Sequence, residues 1–189
     1  TQCWTKENMR TTHFNDGTPL TSIYPPNGNM SNVLTYGYLY SWYELFYRDP
    51  SVNCLQLQSY DNPANKQSIC PYGWHVPDSI EWVNLKDYLT AQYGSTSNMQ
   101  IALGQNGLNN YWINYPLYNA TGFSFKQAGQ ADVIGNYATY NRFEDYSGES
   151  PFWTSTHNRY FSLNGTAFSF NTGYCLSGSY HYSVRCLRD

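Results

Sequence analysis

The chain has 189 residues, only 12% of them charged, and a net charge of −3. That balance excludes the basic footprint of a nucleic-acid binder, and no apolar run approaches the ~20 residues needed to cross a membrane. Aromatic residues at 19%, led by 20 Tyr, exclude a disordered chain. The length fits one domain, 1–189, large enough to bury a core. Tyr in this excess points to a recognition surface, because it combines contact area, a polar tip and few rotatable bonds. The alternative is an aromatic-rich core. No basic-then-apolar leader opens the sequence. It starts on Thr1 rather than Met, so a leader or upstream domain missing from it is allowed for.

In chain order, Asn15-Asp16-Gly17-Thr18-Pro19 and Tyr24-Pro25-Pro26-Asn27-Gly28-Asn29 signal turns. Leu34 to Tyr47 carries no charge before Glu44 and is expected to form a buried helix with Trp42, Leu45 and Phe46 inward. Asp49 to Ser68 reads mostly as loop. Asp78 and Glu81 have capping-box spacing. Trp82, Leu85 and Leu89 then form one apolar stripe, and Gly94 is a stop signal, so the sequence predicts a helix over 79–93. A shorter helix is expected near Met99–Leu103. Beyond Tyr111 helical periodicity fades. Alternation at Phe123/Phe125, at Phe168/Phe170 and along Tyr180, Tyr182, Val184 and Cys186 predicts short strands between Gly-rich turns. Helices followed by strands make the fold class α+β.

Five cysteines, Cys3, Cys54, Cys70, Cys175 and Cys186, include no Cys-x-x-Cys, so neither a zinc ribbon nor a thioredoxin-like site is signalled. An odd count leaves at least one thiol unpaired within the chain. Two long-range disulfides, implying an oxidising compartment, and buried thiols acting as small hydrophobes both remain open.

Six blocks, in order along the whole chain, carry a resemblance. They are Gln2-Cys3-Trp4-Thr5-Lys6-Glu7-Asn8-Met9 with Asn15-Asp16-Gly17-Thr18-Pro19; Tyr36-Gly37-Tyr38-Leu39-Tyr40-Ser41-Trp42; Cys70-Pro71-Tyr72-Gly73-Trp74-His75-Val76-Pro77 with Glu81-Trp82; Gly122-Phe123-Ser124; Phe152-Trp153-Thr154-Ser155-Thr156; and Ser183-Val184-Arg185-Cys186-Leu187-Arg188-Asp189. The chain resembles the Fibrobacter succinogenes major paralogous domain. The resemblance implies a C-type-lectin-like fold related to formylglycine-generating enzymes, with helices packed on a twisted antiparallel sheet and long loops. It implies adjacent N- and C-terminal segments, with a last strand near 182–187 paired centrally. It places Cys70 beside Cys186 as a candidate disulfide, and Cys175 is expected free beside the binding surface. The sequence departs from the family pattern at Lys126-Gln127-Ala128-Gly129-Gln130-Ala131, where members carry a Pro-Gly-Gly-Tyr-Arg-like segment.

For an enzyme, a nucleophile with a base is needed. His13, His75, His157 and His181 occupy no recognisable catalytic or metal spacing, His75 reads as structural, and Glu81 is explained by capping. No catalytic residue and no metal ligand is assigned. Glu-Pro-Asn, Gln-Pro-Asp and Trp-Asn-Asp are absent, so no cofactor is expected; a calcium site is left open without a motif that signals it. The expected function is non-enzymatic ligand binding to a protein or glycan on a cell surface. The place expected is extracellular, on a cell surface or a virion, without nucleic acid or membrane insertion.

Family members implied by the resemblance include variable proteins of diversity-generating retroelements in bacteria, phages and archaeal viruses. Adenine mutagenesis there turns Asn codons into Ser, Tyr, Gly, His and others, never into Lys, Glu, Gln, Met or Trp. Thr154 to Ser183 contains none of those five, while Tyr, Ser, Gly and Asn fill over half of it. Alternatives are a fixed secreted adhesion or fimbria-associated module and, remotely, a formylglycine-generating-type enzyme. The expected contact surface, from loops 136–149, 156–160 and 174–182, comprises Asn136, Tyr137, Tyr140, Asn141, Phe143, Asp145, Tyr146, His157, Asn158, Arg159, Tyr160, Tyr174, Ser177, Ser179, Tyr180 and His181. Rigid Tyr anchors with Ser, Asn and Gly neighbours are paratope-like chemistry. Tyr182 is left out because Val184 and Cys186 continue its face inward.

Overall fold

The computed structural model of the chain describes residues 2–45, 68–104, 114–134, 137–141, 143–144, 150–156, 159–163, 168–172 and 179–189, without the side chains of 134, 137, 163 and 168–172. In chain order the elements are β1 (Ile23–Tyr24), α1 (Val33–Tyr36), β2 (Leu39–Ser41), β3 (Trp74–His75), α2 (Ser79–Tyr93) and α3 (Thr96–Leu103). Then follow β4 (Gln130–Ile134), β5 (Tyr137–Asn141), β6 (Ser150–Trp153), β7 (Arg159–Leu163), β8 (Phe168–Thr172), β9 (Tyr180–Tyr182) and β10 (Leu187–Arg188).

α2 forms where the sequence predicts it. The Asp78 carboxylate accepts from the Glu81 amide and the Glu81 carboxylate accepts from the Asp78 amide, both at 2.8 Å, satisfying two of the helix's orphan donors. Gly94 ends it in the left-handed conformation. Trp82, Leu85 and Leu89 are buried on one face, with Trp82 stacked on Phe161 at 4.3 Å between ring centres. α3 is capped by Ser95, and its residues 99–103 are all buried. Phe123 and Phe125 are not in a strand. Both are buried in a loop that hooks the free carbonyls of α3: Asn119 N–H donates to Ile101 O, Thr121 N–H and Oγ1–H to Ala102 O, and Phe125 N–H to Leu103 O. Capping the helix end takes precedence over strand pairing there.

The expected helix over Leu34–Tyr47 does not form either. After the single turn of α1, Gly37 adopts φ +78°, and a Cβ at that position would sit 2.6 Å from the Met9 carbonyl oxygen. The chain turns out of the helix there, Leu34 is left 77% exposed, and 39–41 join a sheet. Trp42 and Leu45 are inward as expected; Phe46 lies outside the described residues.

Strands form a five-stranded antiparallel sheet of order β1-β2-β9-β4-β5, a three-stranded sheet β6-β7-β8 and a ribbon β10-β3. A parallel bridge between Phe152 and Ser183 links the first two. The central strand is β9, shorter and earlier than the expected 182–187; 187–188 pair instead with β3. One core cluster, containing Tyr40, Trp42, Trp153, Tyr182 and Val184, lies on one face of the large sheet. A second joins α2 and α3 to Phe152 and Phe161 of the three-stranded sheet. The arrangement is α+β.

The termini run side by side. Thr5 N–H donates to Cys186 O, Met9 N–H to Val184 O and Arg188 N–H to Cys3 O. On the other flank, Trp153 N–H donates to Ser183 O. Covered on both sides, the segment buries His181, Ser183 and Arg185 as fully as Tyr182, Val184 and Cys186, so apolar-in, polar-out alternation fails there. Cys70 and Cys186, neighbours as the resemblance implies, are joined by a disulfide with Cα atoms 5.9 Å apart.

Candidate functional site

Strand register decides which residues share a face, because side chains alternate with period two. Tyr180 on β9 stands opposite Asp132 on β4, which stands opposite Thr139 on β5. Gln130 and Asn141 pair two residues along. Tyr180, Asp132, Thr139, Gln130 and Asn141 therefore lie on one face. That face is core beneath β2 and β9, where Tyr182 packs, and becomes polar towards the β5 edge. Asp132 organises the polar part: Gln130 Nε2 and Asn141 Nδ2 each donate to its carboxylate at 2.9 Å, and Thr139 Oγ1 donates to its carbonyl at 3.3 Å. Gln130, Asp132 and Thr139 were not among the predicted contacts. The alternation Gln130/Asp132 against Thr139/Asn141 was the available signal.

At the sheet junction, the Tyr160 and Tyr180 rings lie 5.0 and 6.0 Å from that of Tyr182. Both are half-buried against the first core cluster, and Arg159 and Ser179 beside them are exposed. Tyr140 is on the opposite face of the sheet. It is half-buried against Leu39, Ala128 and Ala131, with Tyr24 and Tyr36, and its partial burial, together with the charge of nearby Tyr24, raises its pKa. Phe143 packs edge-on against Tyr36 at 5.0 Å, and the Tyr36 hydroxyl donates to Glu144. The predicted contacts thus divide between two faces: Tyr160, Tyr180 and Asn141 on one side, Tyr140 and Phe143 on the other; Arg159 and Ser179 each precede one of the first two tyrosines and by alternation point away from it.

His181 is a correction. It is fully buried, with Nε2 2.8 Å from Ser22 Oγ and its ring edge-on to Tyr24 at 4.7 Å. Burial pushes its pKa down to about 4. The neutral imidazole is a structural spacer beneath the sheet, because Ser41 and Ala131 flank it on the neighbouring strands. Asn136, Asp145, Tyr146, His157, Asn158, Tyr174, Ser177 and Cys175, and the side chain of Tyr137, lie outside the described residues.

The remaining polar clusters serve the scaffold. Arg185 is wholly buried. Nε donates to Asn8 Oδ1 (2.7 Å), Nη1 to the carbonyls of Thr5 (2.7 Å) and Phe123 (2.8 Å), and Nη2 to that of Ser124 (3.1 Å). Its guanidinium lies 4.3 Å over the Phe123 ring. Burial pulls its pKa down to about 9. Glu44 is buried and accepts from Thr21 N, Thr21 Oγ1 and Ser22 N. His75 sits between Asp189 (2.6 Å) and Glu81 (3.0 Å). Burial opposes its charging, but the hydrogen bonds to Asp189 and Glu81 prevail and its pKa is raised. Among the described residues no group of three or more His, Cys, Asp or Glu gathers to hold a metal, and no helix is long and apolar enough to cross a membrane.

A groove of about 700 Å³ lies away from the sheet face, between residues 2–6, α2 and the loop at 121–123; none of the predicted contacts among the described residues lines it.

The six sequence blocks converge in this scaffold: the first and last run antiparallel, the second meets them at Gly37, the third supplies Cys70 and α2, the fourth gives Arg185 its acceptors, and the fifth bridges to Ser183. The chain belongs to the Fibrobacter succinogenes major domain family, whose model matches residues 1–188. No curated protein and no solved structure matches it.

Proposed function

We propose that the protein is a non-enzymatic ligand-binding domain of C-type-lectin-like architecture, acting outside the cell or on a virion, with a protein or glycan on a cell surface as its partner. The carrying observation is the single face that aligns Tyr180, Asp132, Thr139 and Asn141 beside Tyr160. Half-buried Tyr rings supply rigid area, and exposed Thr139 and Asn141 supply adaptable polar contacts. The Asp132 network holds the polar groups in place, so less side-chain entropy is lost on binding.

The composition of Thr154–Ser183 supports a diversified surface generated by a retroelement. Sequencing this coding region across a natural population tests it. Substitutions confined to adenine positions at the exposed residues of 139–183 are expected, and an even spread of substitutions over all bases overturns the reading. A second reading, a fixed adhesion module, is favoured by one observation: Tyr140, Tyr160 and Tyr180 all pack onto core clusters, where free variation would cost stability.

A further inference from the structure

The groove beside α2 has a lining that the sheet-face reading does not use. Its floor is Leu85 and Leu89 of α2 with Leu103 of α3, and its walls are Trp4, Phe123, Tyr88 and Tyr93. Trp4 is fixed. Its indole N–H donates to Gln2 Oε1 at 3.2 Å, Gln2 Nε2 donates to Glu81 O at 3.1 Å, and the ring is braced at 4.6 Å by Trp82 and at 6.1 Å by Phe123. The polar group of the indole is therefore occupied, and what the ring offers a ligand is an apolar plate.

Facing it, α2 presents Asn84, Tyr88 and Gln92, four residues apart and so one above another on one side of the helix. All three are exposed, and their side-chain polar groups have no protein partner among the described residues. An amide both donates and accepts. Braced aromatic plates with the amides of Asn84 and Gln92 and the Tyr88 hydroxyl match a pyranose ring, which has C–H faces to lie on an aromatic and a rim of hydroxyls that need both donors and acceptors.

The charge in the groove is one-sided. Among the described residues Lys6 is the only ionisable acid–base group of its lining besides the two tyrosines, and no carboxylate among them lines it. Lys6 makes no ion pair among the described residues, while its neighbour Glu7 is committed to Arg10. The volume falls within the range of small-ligand sites. We propose that this groove is a second binding site, independent of the sheet face, for a short acidic saccharide whose ring lies against Trp4 and Tyr88 and whose carboxylate pairs with Lys6.

The test titrates the whole protein with a uronic-acid trisaccharide and with its neutral counterpart, in which each carboxylate is a primary alcohol, following tryptophan fluorescence and ligand-observed NMR. The acidic sugar is expected to bind more tightly than the neutral one. Tyr88→Ala is expected to weaken binding by roughly tenfold, and Lys6→Gln to abolish the preference for the acid while leaving neutral-sugar binding unchanged. Tyr88 and Lys6 lie outside the core clusters, so both variants should fold; near-ultraviolet circular dichroism checks this. Asn141→Ala, on the sheet face, and Arg159→Ala, beside it, are expected to leave saccharide binding unaltered. Saturation by neither sugar at millimolar concentration overturns the proposal. So does binding that Tyr88→Ala leaves intact, or binding that is lost on Asn141→Ala or Arg159→Ala, which would move it to the sheet face. Equal binding of both sugars, unaffected by Lys6→Gln, overturns the acidic specificity.

Discussion

Two regions of the molecule hold their polar groups in opposite ways. Around the paired termini and the start of the first strand, Arg185, Glu44 and His75 are buried or half-buried and partnered: Arg185 feeds four acceptors from two separate segments, and Glu44 and His75 sit in closed sets of partners. At the β4-β5-β9 face the polar groups sit at the sheet margin and only Asp132 ties them together, while the tyrosines lean on the core with one side of the ring. A buried polar set loses heavily when any member is removed, because the others are left desolvated. A marginal set loses little, since water replaces the missing partner. The first region should therefore resist substitution and the second should accept it in proportion to exposure.

The sharpest break of this contrast is Arg185→Met. It strands the carbonyls of Thr5, Phe123 and Ser124 in the interior, and the expected loss is about 4 kcal/mol, read from chemical denaturation. A loss below about 1 kcal/mol would mean that the network contributes little and that the termini are held by backbone pairing alone. Next comes the Cys70–Cys186 link, which closes a separation of 116 residues. Cys70→Ala should cost about 2–5 kcal/mol, mainly by freeing the unfolded chain. The same shift should appear on reduction with dithiothreitol, and unchanged stability on reduction would contradict it.

The two buried or half-buried histidines sharpen the comparison through pH. His181 has its folded pKa depressed to about 4 from an ordinary 6.5 by burial. The unfolded chain therefore takes up the proton first, and the stability present above pH 6.5 is lost as pH falls towards 4, by about 3 kcal/mol in all. His181→Asn should flatten that limb of the curve. His75 works in the other direction: its raised pKa means its contribution is full below pH 6.5 and is lost as pH climbs through the raised value. Together they put maximal stability near pH 6.5. A stability curve with no rise between pH 4 and pH 6.5 would contradict the placement of His181, and one that keeps rising to pH 8 would contradict that of His75.

How far the sequence revealed this depends on whether the deciding interaction is local. α2 was legible because cap, stripe and stop all lie within the helix itself: Asp78, Glu81, Trp82, Leu85, Leu89 and Gly94. The 34–47 segment was not, because what ends its helix is a carbonyl 28 residues away, Met9 O against Gly37. Phe123 and Phe125 alternate like a strand, yet their segment is recruited to the end of α3, a contact no local pattern encodes. His181 shows the same limit at the candidate site. Its Ser and Tyr neighbours in sequence read as surface, but its partners, Tyr24 of the first strand and Ser22 just before it, lie far away in the chain. Tyr180 and Tyr160 were found by composition, while Asp132, which orders the polar side chains beside them, carries no compositional signal and emerges only from strand register.

That register permits the finest prediction, within the site itself. Tyr180 and Tyr160 each share ring contact with Tyr182, so Tyr→Ser at either should remove part of a packed aromatic row and cost about 1–2 kcal/mol, less than a full core truncation. Thr139 on the same face, and Arg159 and Ser179 next to the tyrosines in sequence, project into solvent, and Ala at each should change stability by no more than about 0.5 kcal/mol. If the face is a binding surface, the order reverses for affinity: the exposed trio changes partner binding without moving the melting temperature, and the tyrosines change both. Melting curves and partner titrations on the five single variants separate the two scales. A tyrosine variant as neutral to stability as Ser179→Ala would mean that the rings are free to vary and would favour diversification. A loss as large as that from Trp82→Ala, about 3–5 kcal/mol, would make them core and confine any varying surface to the solvent-facing positions between them.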